Sequence, residues 1–263
     1  MQKILLFIFI FSVLGQAEVY DTFKINLGAM HVVNFETEMQ IAPKDVPIGV
    51  RINTQDQLKM SNDTNVFYLN GYYRFTDTHS IDFSYFSVNS SGHTTDSITW
   101  DGDTSISGDI ASYFNMDVYK INYVYSFYHN DKVELALTAG LHITAVDLGI
   151  LAYGTIDGVA DESYQSDSSV TVPLPVIGFK GEYRINKKLF VNYRVDYLYL
   201  EFDEYKGALV TSALNVEYRF VEYFGMGIGY NVNTVWIEAK DDDTEVDVKN
   251  NLSGVIFYFS YIY

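Results

Sequence analysis

Five histidines, 17 Lys and Arg, and 34 Asp and Glu are the groups in this 263-residue chain that could do chemistry, and cysteine is absent. His142 and Thr144 stand two apart. On a strand they would share a face, with an imidazole beside a hydroxyl that it could activate as a nucleophile. Such a set needs a carboxylate to orient the base, and none adjoins the pair, so a structural histidine is the plainer reading. His79 and His129 fall in turn-like tetrapeptides, Thr76-Asp77-Thr78-His79 and His129-Asn130-Asp131-Lys132. His93 falls in a polar stretch. Asp101-Gly102-Asp103 and Asp241-Asp242-Asp243 are dense in the oxygen ligands that Mg²⁺ or Ca²⁺ takes. Neither has the glycine and closing glutamate of a helix-loop-helix calcium site. Solvated, self-repelling loops are the plainer reading, and divalent cations at these loops are kept as a possible partner. Gly225-Met-Gly-Ile-Gly229 lies inside a strand pattern, so it reads as small residues making room for large neighbours and not as a phosphate loop. No cofactor, metal ligand or catalytic residue is assigned.

The remaining charges are patterned. Leu135, Leu137, Ala139, Leu141, Ile143 and Ala145 alternate with Glu134, Ala136, Thr138, Gly140, His142 and Thr144, the period of a strand with one apolar face. Segments 65–76, 189–203 and 208–221 repeat the pattern. By parity the non-lipid face receives Lys24, Arg74, Lys120, Lys180, Arg184, Arg194 and Arg219, with Asp82, Glu134, Glu182, Asp196 and Glu217. In a narrow cylinder these would pair across the inside as a structural network. The sharper alternative is a polar conduit.

What positions them is a set of strands joined by short polar turns at 76–79, 129–132, 186–188 and 221–223. Aromatic-rich strand ends precede each turn: Tyr72-Tyr73-Arg74-Phe75, Tyr125-Ser126-Phe127-Tyr128, Glu182-Tyr183-Arg184-Ile185 and Glu217-Tyr218-Arg219-Phe220. Four short turns and two termini on one side imply five hairpins. The expected strands are 22–40, 65–76, 80–90, 110–128, 132–153, 171–185, 189–203, 208–221, 224–240 and 250–263. Ile48–Gln55 is also strand-like and would extend the first hairpin or add strands. The stretches 91–109, 154–170 and 241–248, rich in Asp, Ser, Thr and Gly, are expected as long acidic loops on the far side. The fold class is therefore all-β, a closed antiparallel up-and-down barrel of ten strands, with eight as the first alternative and twelve as the second.

Closure follows from the solvent. The alternating apolar faces carry many of the 23 Tyr and 18 Phe, a surface that water would not tolerate. In lipid, every backbone N–H and C=O must be paired, and only a seamless ring of strands does that. The N-terminus fits export. Lys3, the apolar run Ile4–Phe11, then Gly15-Gln16-Ala17 and Glu18 read as a signal peptide cleaved after Ala17. Residues 18–263 would then be one barrel domain. Net charge of −17 excludes a nucleic-acid partner, which needs basic patches. Absence of Cys excludes a small disulfide scaffold.

The last segment reads NNLSGVIFYFSYIY, with Val255, Phe257, Phe259, Tyr261 and Tyr263 on one face. It resembles the closing strand of bacterial outer-membrane barrels. With the leader and the strand series, the chain resembles the small barrels of the outer-membrane protein A and W type. That resemblance implies a Gram-negative-type outer membrane, and a terminal aromatic set (Phe259, Tyr261, Tyr263) read by the barrel-assembly machinery. It also implies contact with outer-membrane lipid and lipopolysaccharide, and a structural, surface-interaction or narrow-channel role without enzymatic activity. The alternative is a barrel hydrolase acting on lipid or peptide. Outer-membrane deacylases use His-x-Ser with a carboxylate, where this chain has His142-x-Thr144. Omptin-type proteases place Asp and His at the extracellular rim, where His93 and the acidic stretches are the nearest counterpart.

Overall fold

A computed structural model describes residues 21–43, 50–53, 56, 58–60, 64–100, 104–202, 205–240 and 244–263. The expected leader and the two densest acidic clusters, 101–103 and 241–243, lie outside the described residues, as do parts of 48–55.

Among the described residues there are twelve antiparallel strands: β1 (Phe23–Pro43), β2 (Val50–Asn53), β3 (Thr64–Thr76), β4 (His79–Thr94), β5 (Ile98–Trp100), β6 (Thr104–His129), β7 (Val133–Ile156), β8 (Val159–Arg184), β9 (Leu189–Phe202), β10 (Tyr205–Val221), β11 (Phe224–Lys240) and β12 (Thr244–Ile262). Ten form a ring, which β12 closes against β1 from Lys24↔Ile262 to Pro43↔Thr244. The two short strands are additions: β2 extends the β1 side, and β5 pairs β6. Phe23 and Tyr263 exchange both backbone hydrogen bonds at 2.8 Å, so the ring is sealed at its last residue.

The four short turns all lie at that end. Two are built the same way, each by an asparagine side chain that mimics a backbone turn. Asn130 Oδ1 accepts the N–H groups of Lys132 and Val133 at 2.9 Å. Asn186 Oδ1 accepts those of Lys188 and Leu189 at 2.9 and 3.0 Å. Thr76 Oγ1 accepts from His79 N at 3.1 Å in the first turn.

The opposite end corrects the expectation of long loops. Most of 91–109 and 154–170 is strand. β4 runs to Thr94, β6 starts at Thr104, β7 reaches Ile156 and β8 begins at Val159. Asp157 and Gly158, both at positive φ (52° and 83°), make the β7–β8 turn. Segment 244–248 likewise belongs to β12. Along 157–169 the described side chains of both faces are exposed or half-exposed, which removes the alternation that marks a strand.

Outward side chains form an apolar band. Leu27, Ile121, Leu137, Leu141, Ile177, Leu214, Ile228 and Phe257 are exposed along it. Phe75, Tyr125, Phe127, Phe220, Tyr261 and Tyr263 gather toward the turns; Phe67, Tyr119, Tyr197, Tyr199 and Tyr230 gather above. This is the girdled belt of a membrane barrel, about 25 Å tall. On β6 the band stops at Tyr119. The next outward residue is Asp117, whose carboxylate accepts from Tyr85 at 2.9 Å. From there to Thr104 the strand continues for roughly 40 Å at about 3.3 Å per residue.

Candidate functional site

The strands place the inward charges in two layers near the turns. In the lower layer, Arg74 Nη2 donates to both carboxylate oxygens of Glu134 at 2.8 Å. Ser126 donates to the same carboxylate. The Arg74 guanidinium also reaches the Asp77 carbonyl at 3.1 Å, which ties this pair to the β3–β4 turn. Beside it, Arg219 lies 2.7 Å from Asp21, 3.1 Å from Glu217 and 3.9 Å from Glu182. Its guanidinium stacks 3.8 Å from the centre of the Phe190 ring, a cation–π contact removed from water. Lys24 sits 2.5 Å from Glu217. Ser260 and Tyr258 donate to that carboxylate at 3.1 and 3.4 Å.

In the upper layer two carboxylates hold three cations. Asp82 takes Lys180 at 3.3 Å and Arg194 at 3.0 Å. Asp196 takes Arg194 at 3.0 Å and Lys120 at 3.5 Å, and accepts from Thr138 and Thr211 at 3.3 and 3.2 Å. Lys180 Nζ also lies 4.5 Å from the Tyr72 ring centre. Arg184, the last residue of β8, is half-buried on the turn side of both layers.

Partners in this network come from far apart in sequence, Arg194 and Asp82 being 112 residues apart. Parity names the inward residues but not who meets whom. Asp21 escapes it because it precedes the first strand. Tyr258 and Ser260 sit on the even, inward face of β12, which parity could have flagged. A cavity of about 120 Å³ lies above and between the layers, bordered by Asn26, Asn70, Asn192, Asn231, Lys120 and Arg194. Asn26 donates to Asn70 at 2.6 Å, and Asn70 donates to the Tyr68 hydroxyl at 2.6 Å, bridging one wall.

Higher up, the interior is apolar, where polar lining was expected. Met30, Phe35, Phe86, Ile106, Ile110, Phe114, Met116, Ile150 and Leu252 form one buried cluster, joined by Leu58 and Met60. Phe35 and Phe114 meet edge-on at 5.2 Å. Leu174, Val176, Leu198 and Leu209 form a second cluster on the opposite wall. The glycines of β11 make room at the charged end. A Cβ on Gly227 would run into the Tyr258 ring, and one on Gly229 into the Asn215 amide.

The histidine candidates are dispersed. His142 is buried in β7 opposite Lys120, and neither its Nδ1 nor Thr144 Oγ1 has a hydrogen-bond partner. His93 does hydrogen-bond Asp109 across β4 and β6, but both are more than 60% exposed and face out from the barrel, away from its interior. His79 belongs to an outward aromatic stack with Phe75, Tyr123 and Tyr125. Among the described residues no three His, Asp or Glu groups converge as a metal site would require.

Phe259, Tyr261 and Tyr263 all face outward. Tyr261 packs on Phe224 with ring centres 5.5 Å apart.

No protein-family model matches this chain, and no curated protein matches it in sequence. Solved structures match in fold. The outer-membrane protease OmpT of Escherichia coli superposes with a TM-score of 0.60 at 11% identity, over 94% of this chain and 98% of that one. The outer-membrane protein OprG of Pseudomonas aeruginosa gives 0.42 at 11% identity, over 94% and 98%. Ail, the attachment invasion locus protein of Yersinia pestis, gives 0.30 at 10% identity, over 92% and 99%. The fold is that of the bacterial outer-membrane β-barrels, and the outward apolar band is the surface that such a membrane covers.

Proposed function

We propose that this protein is a closed, non-catalytic barrel of the bacterial outer membrane that holds stiff, acidic hairpins above the outer leaflet, in a structural or surface-interaction role. In this reading the short turns face the periplasm. Lipid and lipopolysaccharide cover the band, and the outward Phe259, Tyr261 and Tyr263 serve as the strand read by the assembly machinery. The observation that carries it is the filling of the interior: two layers of buried ion pairs with an apolar core stacked above them. Ten strands enclose a lumen near the size that side chains fill, far below the 16–18 that leave an aqueous channel. Proteoliposomes carrying the full chain should resist swelling in glycine or small sugars as empty liposomes do. Solute entry that scales with protein content would overturn the closed reading.

A membrane hydrolase is the second reading, favoured only by the OmpT-like fold. Fold alone does not carry chemistry. What counts against it is geometry: the exposed His93–Asp109 pair faces away from the interior, and His142 is buried without an orienting carboxylate bonded to Nδ1. The reconstituted protein should leave labelled phospholipid, lipopolysaccharide and peptide intact. Turnover lost in His142→Ala or His93→Ala would establish the second reading instead.

A further inference from the structure

Strand β8 is paired on both sides only along its lower third. Toward β7 its ladder runs from Val133↔Tyr183 up to Gly154↔Glu162 without a register shift. Toward β9 it stops at Ile177↔Tyr197. Two bonds fix which residues face which neighbour. Arg184 N donates to Lys132 O at the foot of β7, at 2.7 Å, and Ile185 N donates to Leu189 O in β9, at 2.9 Å. Alternate residues of a strand direct their N–H and C=O to opposite sides. Even-numbered residues of β8 therefore serve β7, and odd-numbered ones serve the β9 side.

Pro173 and Pro175 are both odd. They lack an N–H, so they take nothing from the β7 ladder but strip two donors from the other edge, directly above the last pair with β9. This accounts for β9 leaving β8 there. Above the prolines, Ser163, Gln165, Asp167, Ser169 and Thr171 each turn an N–H and a C=O outward, and among the described residues no strand pairs that edge.

We propose that this edge is a docking strand for an extended, Lys- or Arg-rich segment of another protein, which adds to the sheet beside β8. Native edges are guarded by Lys, Pro or inward charges, because an open row of backbone groups is a template for another strand. Here proline guards only the base. The charge selects the occupant. Between Lys132 and Lys180 the chain has no Lys or Arg, while its β7–β8 hairpin carries Asp147, Asp157, Asp161, Glu162 and Asp167. Glu162 and Asp167 are exposed. Like charges facing each other across a ladder are destabilising, so a second copy of this edge is repelled. A cationic strand is drawn in, and its main-chain bonds supply the affinity. The inference rests on the reading above only in that the β7–β8 hairpin stands outside the membrane.

The test uses the full chain in nanodiscs of zwitterionic lipid and a fluorescent Lys-Thr decapeptide. Binding should protect the amides of Ser163, Gln165, Asp167 and Ser169 from hydrogen exchange. The same peptide N-methylated along one edge keeps its charge but cannot pair, and should bind about tenfold more weakly or worse. Gln165→Pro removes an outward N–H at a parity where β8 already holds two prolines, and should weaken binding of the unmodified peptide while leaving the β7 ladder protected. No binding, equal binding of the N-methylated peptide, or binding that protects no β8 amide would each overturn the proposal. So would self-association that cross-links two copies through a cysteine placed at 165. The N-methylated peptide keeps the proposal testable even if Gln165→Pro fails to fold. Solute flux is not read here, so a leaky barrel would sink the closed reading and leave the edge standing, and absent binding would do the reverse.

Discussion

The turn-side half of the barrel interior and the hairpin-side half fill the same ring with opposite chemistry. Near the turns, Glu217 gathers Lys24, Arg219, Tyr258 and Ser260, and Asp196 gathers Arg194, Lys120, Thr138 and Thr211. Higher up, Phe35, Phe86, Phe114 and Ile110 pack as they would in a soluble core. The lower half is enclosed by hydrocarbon on the outside, so its polar groups have only each other. The upper half rises into water, where an apolar interior repays its own burial as in any globular protein. The two halves should therefore fail differently. A charge network breaks asymmetrically, since losing one partner strands the rest, whereas an apolar core loses only what was removed.

The largest effect is expected from Glu217→Ala, which leaves Lys24 and Arg219 buried with their shared acceptor gone. It should cost about 3–5 kcal/mol, read as a shift of the urea midpoint in bilayers or micelles. Phe114→Ala should cost about 3 kcal/mol through cavity formation while leaving liposome swelling unchanged, because the charge layers below it stay intact. Swelling produced by Phe114→Ala alone would show that the charge layers do not close the barrel by themselves. On the outer surface, Leu141→Lys within the band should cost about 2 kcal/mol, while a lysine at Asn115, beyond the band's edge on β6, should cost close to nothing. Equal costs would misplace the membrane boundary. Gly227→Ala, forced against Tyr258, should cost about 1–2 kcal/mol, and clearly less when it is introduced into a Tyr258→Leu background. The smallest effect belongs to Glu201→Gln at the water-exposed rim, whose pair with Lys206 at 3.4 Å should be silent in unfolding measurements.

The ring was legible in the sequence wherever one face met lipid and the other did not. β7 from Val133 to Ala145 and β10 from Leu214 to Phe220 read directly as period two, and the same parity named Arg74, Asp82, Glu134, Asp196, Glu217 and Arg219 as inward. Two features were not legible. Ile106 alternates with Ser105 and Ser107 in a stretch whose Asp, Ser, Thr and Gly content reads as a loop, so the reach of the apolar core along β6 was hidden. The β8 side of the β7–β8 extension, 159–170, is largely polar on both faces and mimics a loop. Its strand character comes from the neighbour that each residue pairs with, which a local pattern does not contain. Pro173 and Pro175 sharpen the point: inside an apparent strand they argue against one, until the ladder shows that both face an edge where no N–H is required.

The most direct test of the closed interior is single-channel recording of the full chain in a planar bilayer. The ion-paired layers and the apolar core above them predict a silent baseline at moderate voltage. Discrete, stable conductance steps from the unaltered protein would contradict it.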